Sequence, residues 1–538
     1  MTPAARLAAL LRGPVFHLLR ARVTDVAARI GVIEADIEQP GFGLSEEQRA
    51  ELASDVDYII HCAASIRFDL PVKAVLRANF TPTRALLDFA STLPHLRAFT
   101  FMSTAYANAH LPQGSFIEEK IYPLVLPPPP RPAASLASGC LGGGRIAEGR
   151  SGADSDADSE PGTPGGSLGG AAGGAAAAGV EIDGLALAEA LLAAAPEDAE
   201  REAQRIMKAT GIQNTYFLIK NLMERMVMTY AGNRLRLCIV RPTIVTGVQG
   251  APYPGYVGNT SGLTGCYLAT ALGIVRFAQH DPKSVVAIVP GDMVSSVTLA
   301  ATVATAEGCP EVGPIVQVCT STTHPAHSRI LHSITCNYLN AKPPSSLGRH
   351  ARSNYQVDFV KGDAAFNARC LAHSVRVGSM CAMLRLAREG KAANKLMTGW
   401  GVWRELGSRR ADYNLRFATG GIQALQAALG PAEAAHFKCL FSADLGDDWT
   451  RYLQTCAAGI NYLYLREPLA TASNAGFVPV TDAPGLEVFP AVKTAAAPVH
   501  IVAQDAAASN ASSIQVADAV EKAVGVVEAV QKAVGVAA

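Results

Sequence analysis

The chain has 538 residues, 49% of them hydrophobic, with a mean hydropathy of +0.18, which is enough for two or three domains with real cores. Lys+Arg and Asp+Glu both number 46, so no whole-chain field points to nucleic acid or to an anionic membrane. The 11 cysteines include no C-x-x-C pair, which argues against zinc and against a disulfide framework and favours a reducing compartment.

The opening stretch MTPAARLAALLRGPVFHLLRARV is basic, acid-poor and helix-like, a composition that leaves a transit peptide open. No uncharged apolar run reaches the roughly 18 residues a spanning helix needs. Arg29 to Asp36 (RIGVIEAD) reads as a short strand ending at an acid, and Ser45 before a charged segment opens a helix over Leu44 to Leu52. Val56 to Cys62 is a second strand, Leu76 to Phe89 a helix, and Leu96 to Met102 a third strand. Such alternation predicts parallel βαβ units.

From Leu126 the pattern breaks into LPPPPRP and Gly/Ala/Ser-rich text as far as Gly179, an insertion too poor in large apolar groups to offset its ordering entropy. Leu185 to Lys208 and Tyr216 to Met228 then read as helices, with strands at Leu235 to Val240 and Val285 to Val289. The division is therefore 1–125 with 181–325 as a Rossmann-like α/β domain, 126–180 as insertion, 326–467 as a mostly α domain and 468–538 as a low-complexity tail. In that tail Val516, Val520, Val524, Val527 and Val534 could stripe one helix; its mixed charges favour a mobile or self-packing tail over a membrane anchor.

The sharpest chemical signal is Thr215-Tyr-Phe-Leu-Ile-Lys220. Tyr216 and Lys220 lie four apart, so one helix face carries both, about 5–6 Å apart. An ammonium there should draw the tyrosine pKa down and fit it to protonate a carbonyl oxygen. The plainer reading is an ordinary helix with one aromatic and one exposed lysine. Ser103 or Thr104, at the end of a predicted strand, could hydrogen-bond a substrate carbonyl or merely satisfy their own backbone. Pro242, in VRPTIV, marks a strand end and a loop. His324 and His327 (THPAHS) lack acidic or cysteine partners at ligand spacing, and Trp400, Trp403 and Trp449 read as packing of the α region.

Together VDYIIHCAASIRFD, STAYANAHLPQGSFIEEKIYP, NTYFLIKNLMER, VRPTIVTG with PYPGYVGNTSGLTG, and the later DYNLRF, DDWTRYL and GINYLYLRE resemble the fatty acyl-CoA reductase family, the male-sterility-type branch of the extended short-chain dehydrogenases. The resemblance implies an NADPH enzyme that reduces long-chain acyl-CoA to the alcohol through the aldehyde. It implies Tyr216 as proton donor, Lys220 as its lysine, and Thr104 as the third catalytic hydroxyl with Ser103 beside it. It places Asp36 and Ile37 at the adenine, Cys62, Ala63 and Ala64 in the ribose loop, Asn79 in the helix after that loop and Pro242 on the nicotinamide side. Pro82 and Gly291 depart from the family pattern, which has a glycine and a small apolar residue there.

The family also begins with T-G-x-x-G-x-x-G, whose glycines admit a pyrophosphate to a helix N-terminus. Nothing of that spacing precedes Val56, so the expected sheet is incomplete at its N-terminal side. A gene sequence begun at an internal methionine would explain this; an impaired acyl-binding homologue, or a dehydrogenase for another substrate, are the rival readings. No metal is expected. Peripheral membrane contact, oligomeric state and location, whether endoplasmic reticulum surface or plastid, stay open.

Overall fold

The structure, a computed structural model, describes residues 2–126, 180–467 and 499–503, apart from short gaps at 37–38, 68–69, 233–234, 260–261, 280, 346–353 and 466 and scattered positions between 389 and 448. The insertion from 127 to 179, most of the tail, Ile37 and Trp403 lie outside the described residues. The chain divides into two units, Met1–Tyr122 with Asp183–Ala538, and Pro123–Ile182.

The larger unit is built on four parallel strands in the order β7-β4-β3-β2: β2 (Tyr58–His61), β3 (Ala98–Met102), β4 (Leu237–Pro242) and β7 (Ile315–Val318). Register pairs Tyr58 with Ala98, Phe99 with Leu237 and Ile239 with Ile315. All six residues of β4 and all four of β7 are buried, as expected of parallel strands covered on both faces. β2 alternates exposed and less exposed positions at the end of this sheet, leaving Tyr58 and Ile60 partly exposed. β5 (Ile244–Thr246) and β6 (Ile288–Pro290) form a parallel pair of their own. The fold is a Rossmann-like α/β sheet.

The connecting helices follow local chemistry. Ser45 caps α1 (Glu46–Asp55) by a full capping box, with its Oγ accepting from the Gln48 amide at 3.2 Å and the Gln48 side chain accepting from the Ser45 amide at 2.9 Å. α2 (Thr81–Ala90) continues a π-helical turn at Leu76–Phe80, and buries Leu87 and Ala90. α3 (Thr215–Thr229) is capped by Asn214, whose Oδ1 accepts from the Phe217 amide at 2.9 Å, and it is buried on nearly every side. α4 (Gly291–Glu307) packs Met293, Val297 and Ala301 onto β4 and β7.

Beyond residue 325 the described chain is chiefly helical: α5 (Ser328–Ala341), α6 (Asp363–Leu386), α7 (Gly420–Ala428) and α8 (Trp449–Tyr464). Short strands also occur there, with Asp358–Phe359 pairing Phe277–Ala278 and Arg416–Phe417 pairing Phe116–Ile117. Trp449 stacks on Phe441 at 4.7 Å, and Trp400 donates to Ser374 Oγ at 2.9 Å.

Two outcomes differ from the sequence reading. The strand read at Arg29 to Asp36 forms, as β1 (Ile30–Glu34), but outside the four-stranded sheet. Its parallel partner is Val499–Ala503, from the tail expected to be mobile. A strand must pair its backbone groups somewhere, and charge and composition do not announce a partner so distant in sequence.

Candidate active site

The carboxyl ends of β2, β3 and β4 and one face of α3 meet at a single place. Lys220 is 3% exposed, not the exposed lysine of the plainer reading, and its Nζ donates to the Met102 carbonyl at 2.8 Å. The same ammonium stands 4.8 Å from the Phe101 ring centre and 6.0 Å from that of Tyr216. The Ser103 amide, one residue past β3, donates to Val240 of β4 at 2.8 Å, and Pro242 closes β4 two residues later. Thr104 caps a short 3-10 turn, with its Oγ1 accepting from the Tyr106 amide at 3.3 Å.

The loop after β2 is held from below. Asn79 clamps Ser65 in both directions, with Oδ1 accepting from the Ser65 amide at 2.7 Å and Nδ2 donating to the Ser65 carbonyl at 2.9 Å. This fixes the backbone carrying Cys62, Ala63 and Ala64, of which Cys62 and Ala63 are exposed. His61 donates to or accepts from Thr83 Oγ1 at 2.8 Å. Burial, and after it the Lys220 charge, pulls the His61 imidazole down to about 4.

Electrostatics corrects one expectation. Tyr216 was expected to be drawn down by its lysine; instead burial pushes the phenol above its ordinary value. The ring is enclosed, so loss of water around the phenolate outweighs an ammonium that spends its hydrogen bond on Met102. Lys220 in turn falls to about 8 through burial, with the charges of Glu224 and Cys62 pulling the other way. The result is a neutral phenol beside an easily deprotonated amine.

Glu224 and Arg241 were missed in the sequence. Glu224 lies one further turn along the Tyr216–Lys220 face, so the spacing Tyr-x-x-x-Lys-x-x-x-Glu is the signal that could have found it. Its carboxylate receives Arg241 Nε at 2.9 Å and Nη2 at 2.7 Å, and both Arg241 Nη atoms donate to the Lys120 carbonyl at 3.0 Å. The guanidinium is fully buried, so this fork ties α3 rigidly to β4 just before Pro242.

The site also contains two buried hydroxyls, Ser65 Oγ and Ser103 Oγ, with no hydrogen-bond partner among the described residues. An orphaned buried hydroxyl costs roughly 1–3 kcal/mol, so two at adjacent strand ends mark a place shaped for a polar ligand. Asp36 is not brought into this group: it follows β1, taking Gln39 Nε2 at 3.1 Å and donating its amide to Phe42.

The family described as male sterility protein, an NAD-binding type, matches residues 1–298, more than half of the chain. The chain belongs to the male sterility protein family. Its curated relatives include fatty acyl-CoA reductase 2 of Mus musculus, 29% identical over 295 residues covering 55% of this chain and 45% of that protein. They also include fatty acyl-CoA reductase 1 of Xenopus laevis, 26% identical over 325 residues covering 60% and 51%. The chain thus spans about half the length of the curated relatives it matches. Among solved structures, the terminal R domain of the myxalamid biosynthetic pathway aligns with 80% of this chain and 74% of its own, at 17% identity and a TM-score of 0.44. The family is NAD-binding, and the Lys220 amine, the clamped loop and the two buried hydroxyls are polar groups of the kind that would hold the nicotinamide and ribose end of such a cofactor. A glycine turn for the pyrophosphate does not occur in this chain's sequence ahead of β2.

Proposed function

We propose that the protein is an NADPH-dependent reductase of long-chain acyl-CoA, forming the fatty alcohol through the aldehyde. Family membership and the printed names of the relatives support this reading. The observation that carries it is the buried Tyr216–Lys220 pair anchored to Met102 beside the unpartnered Ser103 hydroxyl. When bound, the reduced nicotinamide supplies hydride. Tyr216, kept protonated by burial, donates its proton to the substrate carbonyl oxygen, and Thr104 or Ser103 offers a second hydrogen bond to that oxygen. Lys220 holds the cofactor ribose with Tyr216, and its charge steadies negative charge growing on the substrate oxygen. Cys62, Ala63 and Ala64 would carry the ribose, on a loop that Asn79 fixes, and Pro242 would border the nicotinamide.

The test is NADPH consumption with palmitoyl-CoA, compared with NADH and with a UDP-sugar. Tyr216→Phe should lower kcat/KM by about 10² or more while NADPH binding, followed by its fluorescence, persists. Turnover equal to wild type would sink the assignment of Tyr216. Absence of NADPH binding by the wild-type protein would favour the acyl-binding reading, and turnover of the sugar alone the other dehydrogenase reading.

A further inference from the structure

Helix α6 is apolar on two opposite sides. Its inner side places Phe366, Cys370, Val377, Cys381 and Leu384 in a core with Phe277 and Trp400. Its outer side leaves Leu371 71% exposed, Val375 68%, Met383 53% and Leu386 85%. At 3.6 residues per turn Leu371, Val375 and Leu386 fall within about 60° of one another, away from the buried row. Ala368, Gly378 and Ala382, all exposed, continue this stripe without a charge. Arg369 and Arg376 border it on one side and Arg385 on the other, with Arg388 just past the helix end. Asp358, paired with Arg369 at 2.7 Å, offsets one of these four cations.

The geometry points to α6 lying flat on an anionic lipid surface, its outer stripe among the acyl chains and its arginines on the headgroups. The charge pattern selects this occupant. Arginines on both borders of an apolar stripe suit a negatively charged plane, to which their long stems can bend. A self-contact through the same face would set Arg376 and Arg385 of one copy against those of another. No described helix is long and apolar enough to cross a membrane, so the contact is in-plane. The formally neutral chain hides this patch because the acids near it in sequence stand at its ends, Asp363 opening α6 and Glu389 following Arg388. This inference does not depend on the proposed reductase activity.

The experiment is co-sedimentation of the full chain with phosphatidylserine–phosphatidylcholine vesicles and with phosphatidylcholine alone. We expect binding to the mixed vesicles that weakens at high salt. Arg376→Gln and Arg385→Gln should each weaken it about fivefold. Leu371→Gln with Leu386→Gln should weaken it more than tenfold while circular dichroism and melting stay as in wild type, since both side chains are exposed. Three results would overturn the proposal: no sedimentation with mixed vesicles, binding unchanged by the leucine pair, or a concentration-dependent dimer that the leucine pair dissolves in the absence of vesicle binding.

Discussion

Lys220 sets two pH dependences that run in opposite directions. Its folded pKa, about 8, lies below its ordinary value of 10.5, so between these values the unfolded chain holds the proton and the folded chain does not. Stability contributed by this residue therefore increases as pH rises through that window, and the penalty of a buried ammonium is carried in full below about 8. Relative to Lys220→Met, wild type should gain up to about 3 kcal/mol between pH 7 and pH 10 in denaturant titrations. If the ammonium serves the reaction, kcat/KM should fall over the same window, because that ratio reports the free enzyme. Glu224→Gln removes the charge that favours the ammonium and should move this limb to lower pH, while destabilising the fold by about 3–5 kcal/mol through the abandoned Arg241. A limb that stays in place in Glu224→Gln would remove Lys220 from the catalytic account. Tyr216 and Lys220 were legible in the sequence because helical spacing alone puts them together. The direction of the tyrosine shift was not, since it depends on the burial of a helix on which twelve of fifteen residues are buried, and no four-residue spacing reveals that.

Among elements, the contact between α8 and the PYPGY loop shows what local sequence can and cannot disclose. Gly255 has φ +83°, and a Cβ built there would meet the Thr455 carbonyl oxygen at 2.2 Å. A Cβ on Gly459 of α8 would meet the Gly255 carbonyl oxygen at 2.0 Å. Tyr452 adds a hydrogen bond from its hydroxyl to the Gly247 carbonyl at 2.6 Å and a contact with Thr246 Oγ1. Alanine in a helix interior normally gains about 1 kcal/mol over glycine, but here backbone meets backbone and cannot yield. Gly459→Ala should therefore destabilise by about 1–3 kcal/mol or more, read as a lower melting temperature, and an increase would show that the loop does not seat on α8. The capping box of α1 was readable because Ser45 and Gln48 are three residues apart. The Gly255–Gly459 approach joins residues far apart in the chain, and nothing in either neighbourhood predicts it.

At the scale of the whole molecule, the strand–helix alternation indicated the kind of sheet, and hydrophobic runs located β2, β3 and β4 to within two residues at either end, whereas β7 (Ile315–Val318), four residues long, went unread. The placement of β1 beside Val499–Ala503 was not legible, since tail composition carried no strand signal strong enough to outweigh its Ala/Pro content. The smaller unit supplies one more consequence. Val125–Leu126 runs antiparallel to Val180–Glu181, and the Ile182 amide donates to the Leu124 carbonyl at 2.8 Å. The polypeptide thus departs and returns at neighbouring points, so residues 127–179 can be cut out and the ends rejoined by an Asn-Gly hairpin turn. Shortening so long a detour lowers the entropy lost in closing it by about 0.6 kcal/mol for each halving. The spliced protein should melt at or slightly above the temperature of its parent in calorimetry, and a lower one would mean the excised stretch bears on the fold. A shorter, sequence-compact gene product would then be the natural material for crystallisation.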